Sequence, residues 1–288
     1  MRRSTRTGFT LLALSFGLFA TACSGSFSPN AVPNENAKDL PPKLEPSVPL
    51  VKPPAAAGAP TSIEIHQDRY PLKDTHTKLV NDSGNGFAGL YGVRNFRAVL
   101  NGVVYRGGAN NTYNKFGKRG NNNPLPDIGL TNLCKEGFGT AVYLYATNYS
   151  SAPHEIDCTS TIDGSKAHLS YKQYNPTSTA GQKAILDAAY KAIQHPETGP
   201  IYLHCWNGWH ASGLASAIVL RQFCGMDATT AVKYWDLNTD GAPVDSSYTA
   251  IRDRIRTFVP KAGYEISDAV KSEICPTTAS AQSMASGN

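Results

Sequence analysis

At 288 residues, with 41% hydrophobic and 17% charged positions, the chain has the composition of an ordinary water-soluble fold. Its formal charge of +5 becomes +2 once Arg2, Arg3 and Arg6 are set aside with a segment expected to be removed, because 24 basic residues then face 22 acidic ones. That balance excludes the basic footprint of a nucleic-acid-binding protein, and two low-complexity ends leave one globular unit of roughly 200 residues.

The chain starts with those three arginines and continues into an apolar run over residues 9–22, which is short for a membrane span. Ala20-Thr21-Ala22-Cys23 then resembles the lipobox of bacterial lipoproteins, in which the cysteine becomes the lipidated first residue of the mature chain; Ala20 stands where that family more often has leucine. The resemblance implies a signal peptide over residues 1–22 and lipidation at Cys23. It also implies an exported protein anchored through its lipid in the bacterial cell envelope, at the outer membrane or periplasmic face in a Gram-negative cell. The alternative is a plain secretory signal cut nearby. Residues 23–60 form a tether: nine of the 19 prolines fall between Pro29 and Pro60, and the stretch carries too little apolar surface to order itself. The predicted domain covers residues 61–275, and residues 276–288 are small, polar and expected to be unstructured.

Within the domain, two β-rich runs over residues 93–108 are separated by Asn101-Gly102, the strongest short-range hairpin signal. A Gly- and Asn-rich loop occupies residues 109–123. Ile128, Leu130 and Leu133 are spaced like the apolar stripe of a short helix over 125–136; Gly137 ends it and a buried strand follows over 138–145. Residues 151–166 read as a loop and 168–174 as a strand. Thr179 and Gln182 then stand as in a capping box ahead of a helix bearing Ile185, Ala188, Ala189 and Ile193, which Pro196 stops. After a short strand over 201–203, helices are predicted over 213–223, 227–234 and about 248–258. Alternating strands and helices argue for an α/β fold, a central, largely parallel sheet flanked by helices, whose ligands bind beyond the carboxyl ends of the strands.

Cys205 lies at such an end. A strand leads into His204-Cys205-Trp206-Asn207-Gly208-Trp209-His210-Ala211-Ser212-Gly213, and a helix follows. Unpaired amides and the positive end of a helix dipole at this turn favour a bound anion and the thiolate form of cysteine. Of the six cysteines, setting aside Cys23 and Cys205 leaves Cys134, Cys158, Cys224 and Cys275, which can pair in three ways. The more local pairing, Cys134 with Cys158 and Cys224 with Cys275, is preferred.

The order of these pieces resembles the cysteine-based protein tyrosine and dual-specificity phosphatase superfamily over about residues 90–260. The likeness rests on Asn95-Phe96-Arg97 through Val104-Tyr105-Arg106-Gly107-Gly108, on the helix-Gly-strand segment 133–144, and on His204 to Gly208 as the first half of an HCxxGxxR loop. The resemblance implies a single protein-tyrosine-phosphatase-like domain. Cys205 would be the nucleophile and Ser212 the hydroxyl assisting turnover, with Trp206, Asn207, Gly208, Trp209, Ala211 and Gly213 in the phosphate-binding loop. It implies no cofactor. Its ligand would be a phosphorylated small molecule, peptide or other anion. The signature arginine position holds Ala211, and residues 174–179, where the family places its acid, lack a carboxylate. Asp240 and Asp236 are candidate late-placed acids, with Asp245 beside them, while Asp240-Gly241 also reads as a turn.

His210 is the ionisable side chain between Cys205 and Ser212, able as an imidazolium to favour the thiolate or donate to an oxyanion. His204 is read as hydrogen-bonding inward to hold the loop. Trp206 and Trp209 either wall an aromatic pocket or pack against the domain. Arg106, Arg252 and Arg256 read as surface or ion-pair residues. A metal site from His204, Cys205 and His210 matches no common zinc spacing. Three functions follow: a phosphoester hydrolase with an altered loop, a pseudophosphatase that binds an anion without turnover, and a Cys-His chemistry of another kind.

Overall fold

Among the described residues, six strands build one sheet, in the spatial order β1 (Val93–Leu100), β2 (Val104–Ala109), β6 (Ile201–Cys205), β3 (Thr140–Tyr143), β5 (Lys166–Gln173), β4 (Glu155–Thr159). The computed structural model describes residues 59–111, 120–121, 123–241 and 245–276. The signal segment, Cys23, nearly all of the tether, the centre of the 109–123 loop and the tail from 277 lie outside them. β1 (Val93–Leu100) and β2 (Val104–Ala109) form the expected antiparallel hairpin. Its turn needs glycine, since Gly102 has φ +77° and a Cβ there would meet the Ile63 carbonyl at 2.6 Å. β6 (Ile201–Cys205) pairs in parallel with β2 and with β3 (Thr140–Tyr143), and β3 pairs in parallel with β5 (Lys166–Gln173). The three central pairings are therefore parallel and both edges antiparallel.

The far edge, β4 (Glu155–Thr159), falls inside the stretch read as a loop. Its Ile156 and Cys158 are half-buried while Glu155, Asp157 and Thr159 point to solvent, a two-residue period masked by its charged members. Charges on an edge strand also discourage pairing with a second sheet.

The strand alternation divides the core. Ile201 and Leu203 join a cluster with α3 (Thr179–Gln194) and α4 (His210–Phe223), whereas Tyr202 turns to an aromatic cluster with Phe96, Tyr105, Phe138 and α2 (Asp127–Lys135). α2 buries Leu130 and Leu133 as expected, but Ile128 is 46% exposed and lies off the stripe. The cap of α3 is Ser178 rather than Thr179: the Gly181 amide donates to the Ser178 hydroxyl at 3.0 Å, and Gln182 donates to the Pro176 carbonyl. α5 (Ala228–Leu237) and α6 (Thr249–Thr257) follow α4. Two short helices were not anticipated, α1 (Ser62–Arg69) with a Thr61–Glu64 capping box, and α7 (Asp268–Ile274).

Both local disulfides form, Cys134–Cys158 fastening α2 to β4 and Cys224–Cys275 fastening the end of α4 to the end of α7. In the chain-entropy account, loops of 24 and 51 residues are worth about 3.5 and about 4 kcal/mol. Cys205 is the free cysteine among the described residues, and it is buried.

Candidate active site

Cys205 ends β6 at the carboxyl edge of the parallel strands, four residues turn the chain, and α4 begins at His210, three residues earlier than expected. The usual start signal is missing because Trp209, with φ −106° and ψ −86°, occupies the N-cap without a side-chain oxygen to offer. His210, Ala211 and Ser212 consequently form the first helical turn. That turn brings the Ser212 hydroxyl to 3.6 Å from the Cys205 sulfur, with the thiol donating.

The loop carbonyls are all held from the protein side. Cys205 O accepts from His204 Nδ1 (3.2 Å), Trp206 O from the Ala109 amide (2.7 Å) and Asn207 O from Asn95 Nδ2 (3.0 Å). Gly208 O and Trp209 O both accept from Arg106 Nη2, at 2.5 and 2.9 Å. Among the described residues, the amides of Trp206, Asn207, Gly208, Trp209, Ala211 and Ser212 have no acceptor. Carbonyls bound beneath and amides left over make the peptide face an anion can use.

This geometry needs a backbone without side chains under it. Gly208 has φ +80°, and a Cβ there would lie 2.5 Å from the Gly107 carbonyl carbon, while one on Gly108 would meet Trp206 O at 2.1 Å. The loop thus lies directly on the Gly107-Gly108 pair at the end of β2.

Three residues that the sequence reading did not place at the loop prove to support it: Asn95, Arg97 and Arg106. Arg106, expected at the surface or in an ion pair, is wholly buried beneath the loop; its Nη1 donates to the Tyr234 hydroxyl (3.0 Å), and its Nη2 lies 3.4 Å from Ser212 Oγ. Arg97 stands opposite it in the hairpin register, and Asn95 holds a left-handed φ of 56°. The hairpin thus opposes two arginines, and like charges there ask for a counter-ion.

Part of that counter-charge is Asp240. One carboxylate oxygen accepts from Arg97 Nη2 (2.5 Å) and Lys78 (2.9 Å), the other from Asn95 Nδ2 (2.7 Å) and Trp209 Nε1 (2.8 Å). Burial pulls its pKa up, but the Arg97 charge and the hydrogen bonds from Lys78 and Asn95 outweigh that and hold it below the ordinary carboxylate value. The candidate acid Asp240 is thus placed as a brace, its two oxygens held by Arg97, Lys78, Asn95 and Trp209. Asp236 is likewise engaged, by Arg252 at 2.8 Å, and Asp245 caps the turn over Ser246–Tyr248.

The two histidines lie apart in character. His204 is fully buried among Tyr143, Tyr171 and Tyr202, and burial lowers its pKa to about 3, so the ring is neutral. Its Nδ1–H serves the Cys205 carbonyl, and its Nε2 accepts from the Tyr171 hydroxyl at 2.9 Å, which is the inward, loop-holding role. His210 stacks on Tyr248 at 4.1 Å and lies 5.6 Å from Trp235, whose indole donates to the His210 carbonyl. Trp209, through Asp240, stiffens the loop; Trp206 is half-buried, its indole nitrogen enclosed without a partner among the described residues. No group of three or more His, Cys, Asp and Glu among the described residues is placed to hold a metal ion.

No family model matches the chain, and no curated protein matches it. Among solved structures, it is similar to the core catalytic domain of the PP-IP phosphatase SIW14 from S. cerevisiae in complex with citrate, at 14% identity and a TM-score of 0.36 over 62% of this chain and 90% of that one. It is also similar to P. aeruginosa TpbA, at 14% identity and a TM-score of 0.34 over 57% of this chain and 85% of that one. Likeness at this level decides nothing about the chemistry of residues 204–213, which has to rest on their own geometry.

Proposed function

We propose that the chain is an atypical member of the cysteine-based phosphatase superfamily that binds a phosphoester on the 205–212 loop and cleaves it through Cys205. The observation that carries this is the loop itself: bound carbonyls below, amides left over, a free cysteine at its base and the Ser212 hydroxyl beside the sulfur. The thiolate attacks phosphorus, an S–P bond forms and the P–O bond to the leaving group breaks. Water then attacks the phospho-cysteine beside Ser212, giving inorganic phosphate and restoring the thiolate.

With Asp240 and Asp236 committed to arginines, the leaving oxygen departs as an anion or takes its proton from water. Aryl phosphates are therefore favoured over alkyl ones. Ala211 and this absent acid also support a second reading, a pseudophosphatase that retains the anion without turnover. The Cys-His alternative has less support, because the ring contacts of His210 lie with Tyr248 and Trp235.

The test is tungstate, a phosphate mimic, titrated into the purified protein by calorimetry, with iodoacetamide labelling of Cys205 followed alongside. Binding with protection of Cys205 is expected, accompanied by slow release of p-nitrophenol from p-nitrophenyl phosphate. Binding without release selects the pseudophosphatase, and no binding overturns both.

We also propose export and anchoring through Cys23. Ala20-Thr21-Ala22-Cys23 supports this, as do two disulfides, which persist in oxidising compartments. Cys23→Ala is expected to move the protein from the membrane fraction to the soluble one; retention in the membrane would sink the anchor.

A further inference from the structure

The loop sits on more buried positive charge than the surrounding carboxylates neutralise. Arg106 is 0% exposed and Arg97 1%, side by side across the hairpin. Asp240 serves Arg97 and Lys78, and Asp82 serves Lys78 again. Every partner recorded for Arg106 is neutral: a tyrosine hydroxyl, two carbonyls and the Ser212 hydroxyl. Its Nε is buried and has no partner among the described residues. A cation removed from water demands compensation, and carbonyl dipoles supply only part of it.

We propose that Arg106 is the electrostatic partner of the oxyanion at Cys205, supplying from beneath the loop the positive charge that Ala211 cannot supply from within it. This rests on the oxyanion-loop reading above and extends it to a positioning residue. The path is short: Arg106 Nη2 lies 3.4 Å from Ser212 Oγ, which lies 3.6 Å from the sulfur. One hydroxyl separates the guanidinium from the nucleophile. That hydroxyl accepts from both neighbours, so its own proton is available to donate to a thiolate or to a bound oxygen. At Arg97, burial first and the neighbouring Arg106 charge second lower the pKa to about 10. Direct bidentate clamping by a loop arginine is thereby replaced by a fixed field. The field attracts an anion without gripping its oxygens, which suits a site that binds more readily than it turns over.

The experiment is tungstate calorimetry on the whole protein with Arg106→Lys and Arg106→Gln, each checked for both disulfides and a native circular dichroism spectrum. Lysine keeps the charge and loses the fork; glutamine keeps hydrogen-bonding capacity and loses the charge. Arg106→Lys is expected to bind within about threefold of wild type and Arg106→Gln about tenfold or more weakly, the size of effect a partly screened charge at this range produces. A glutamine variant that binds as tightly as wild type overturns the proposal. So does a lysine variant as weak as the glutamine one, which would make Arg106 a brace for the carbonyls and nothing more. Should Arg106→Gln fail to fold, the lysine variant decides by itself: tungstate must raise its melting temperature as it raises that of wild type. Wild type that ignores tungstate refutes the oxyanion loop itself, a result separate from any difference among the Arg106 variants.

Discussion

A serine at position 205 is expected to leave the domain folded, to leave tungstate binding in place, and to reduce p-nitrophenyl phosphate turnover on the order of 10³-fold or more, as loss of a covalent nucleophile does. Sulfur and oxygen differ here in acidity. A hydroxyl needs a base to become a nucleophile at neutral pH, whereas a thiol needs much less help. The neighbouring base cannot serve. His204 stays neutral, but its accepting nitrogen is taken by Tyr171 and its N–H is given to the Cys205 carbonyl. The proposed anion site uses the loop amides and Arg106, none of which the substitution touches. Parallel measurement of rate and tungstate affinity checks this, and turnover that survives the serine would remove Cys205 from the chemistry.

Asp240→Asn is expected to cost about 3 kcal/mol of stability, the low end of the range for removing one partner of a buried ion pair. The variant leaves Arg97, 1% exposed, beside Arg106 with no carboxylate, and loosens Trp209 and Asn95 together. Urea unfolding reads the loss directly. A cost near zero would mean that the cluster is relaxed by solvent. The same pair sets a pH dependence whose sign follows from the lowered pKa. Stabilisation by the carboxylate is complete above the unfolded-state value of about 4 and is lost as pH falls from there through the lower native value.

The hairpin, the cysteine loop and both disulfides were legible because each depends on local signals: Asn101-Gly102, a strand ending in Cys205, and the nearer cysteine of each pair. Other features were hidden, for separate physical reasons. β4 carries charges at alternate positions and resembles a loop to any reading that weighs polarity above period. The start of α4 lacks a capping side chain, so its first turn has the sequence character of loop. Arg106 looks like a surface residue because arginines usually are, and its burial depends on carbonyls about a hundred residues further along the chain. Asp240 has the sequence character of a turn residue and of a candidate acid. It is in a turn, with φ 54°, but the donors that occupy its oxygens come from β1, from the segment before it and from the loop itself. Sequence proximity reveals none of those contacts.

The length of α4 has a consequence for how the cysteines find their partners. In an unfolded chain shorter loops close more readily, and Cys205 is nearer in sequence to Cys224 than Cys275 is. The wrong bridge, Cys205–Cys224, is thus the one that chain statistics favour. Once the 14 residues of α4 are helical they hold its ends about 20 Å apart, well beyond the roughly 7 Å Cα separation a disulfide can span. The helix that opens at the anion loop therefore also acts as a ruler between two thiols. With that spacing in place, the partner left within reach of Cys224 is Cys275, and Cys205 stays a free thiol.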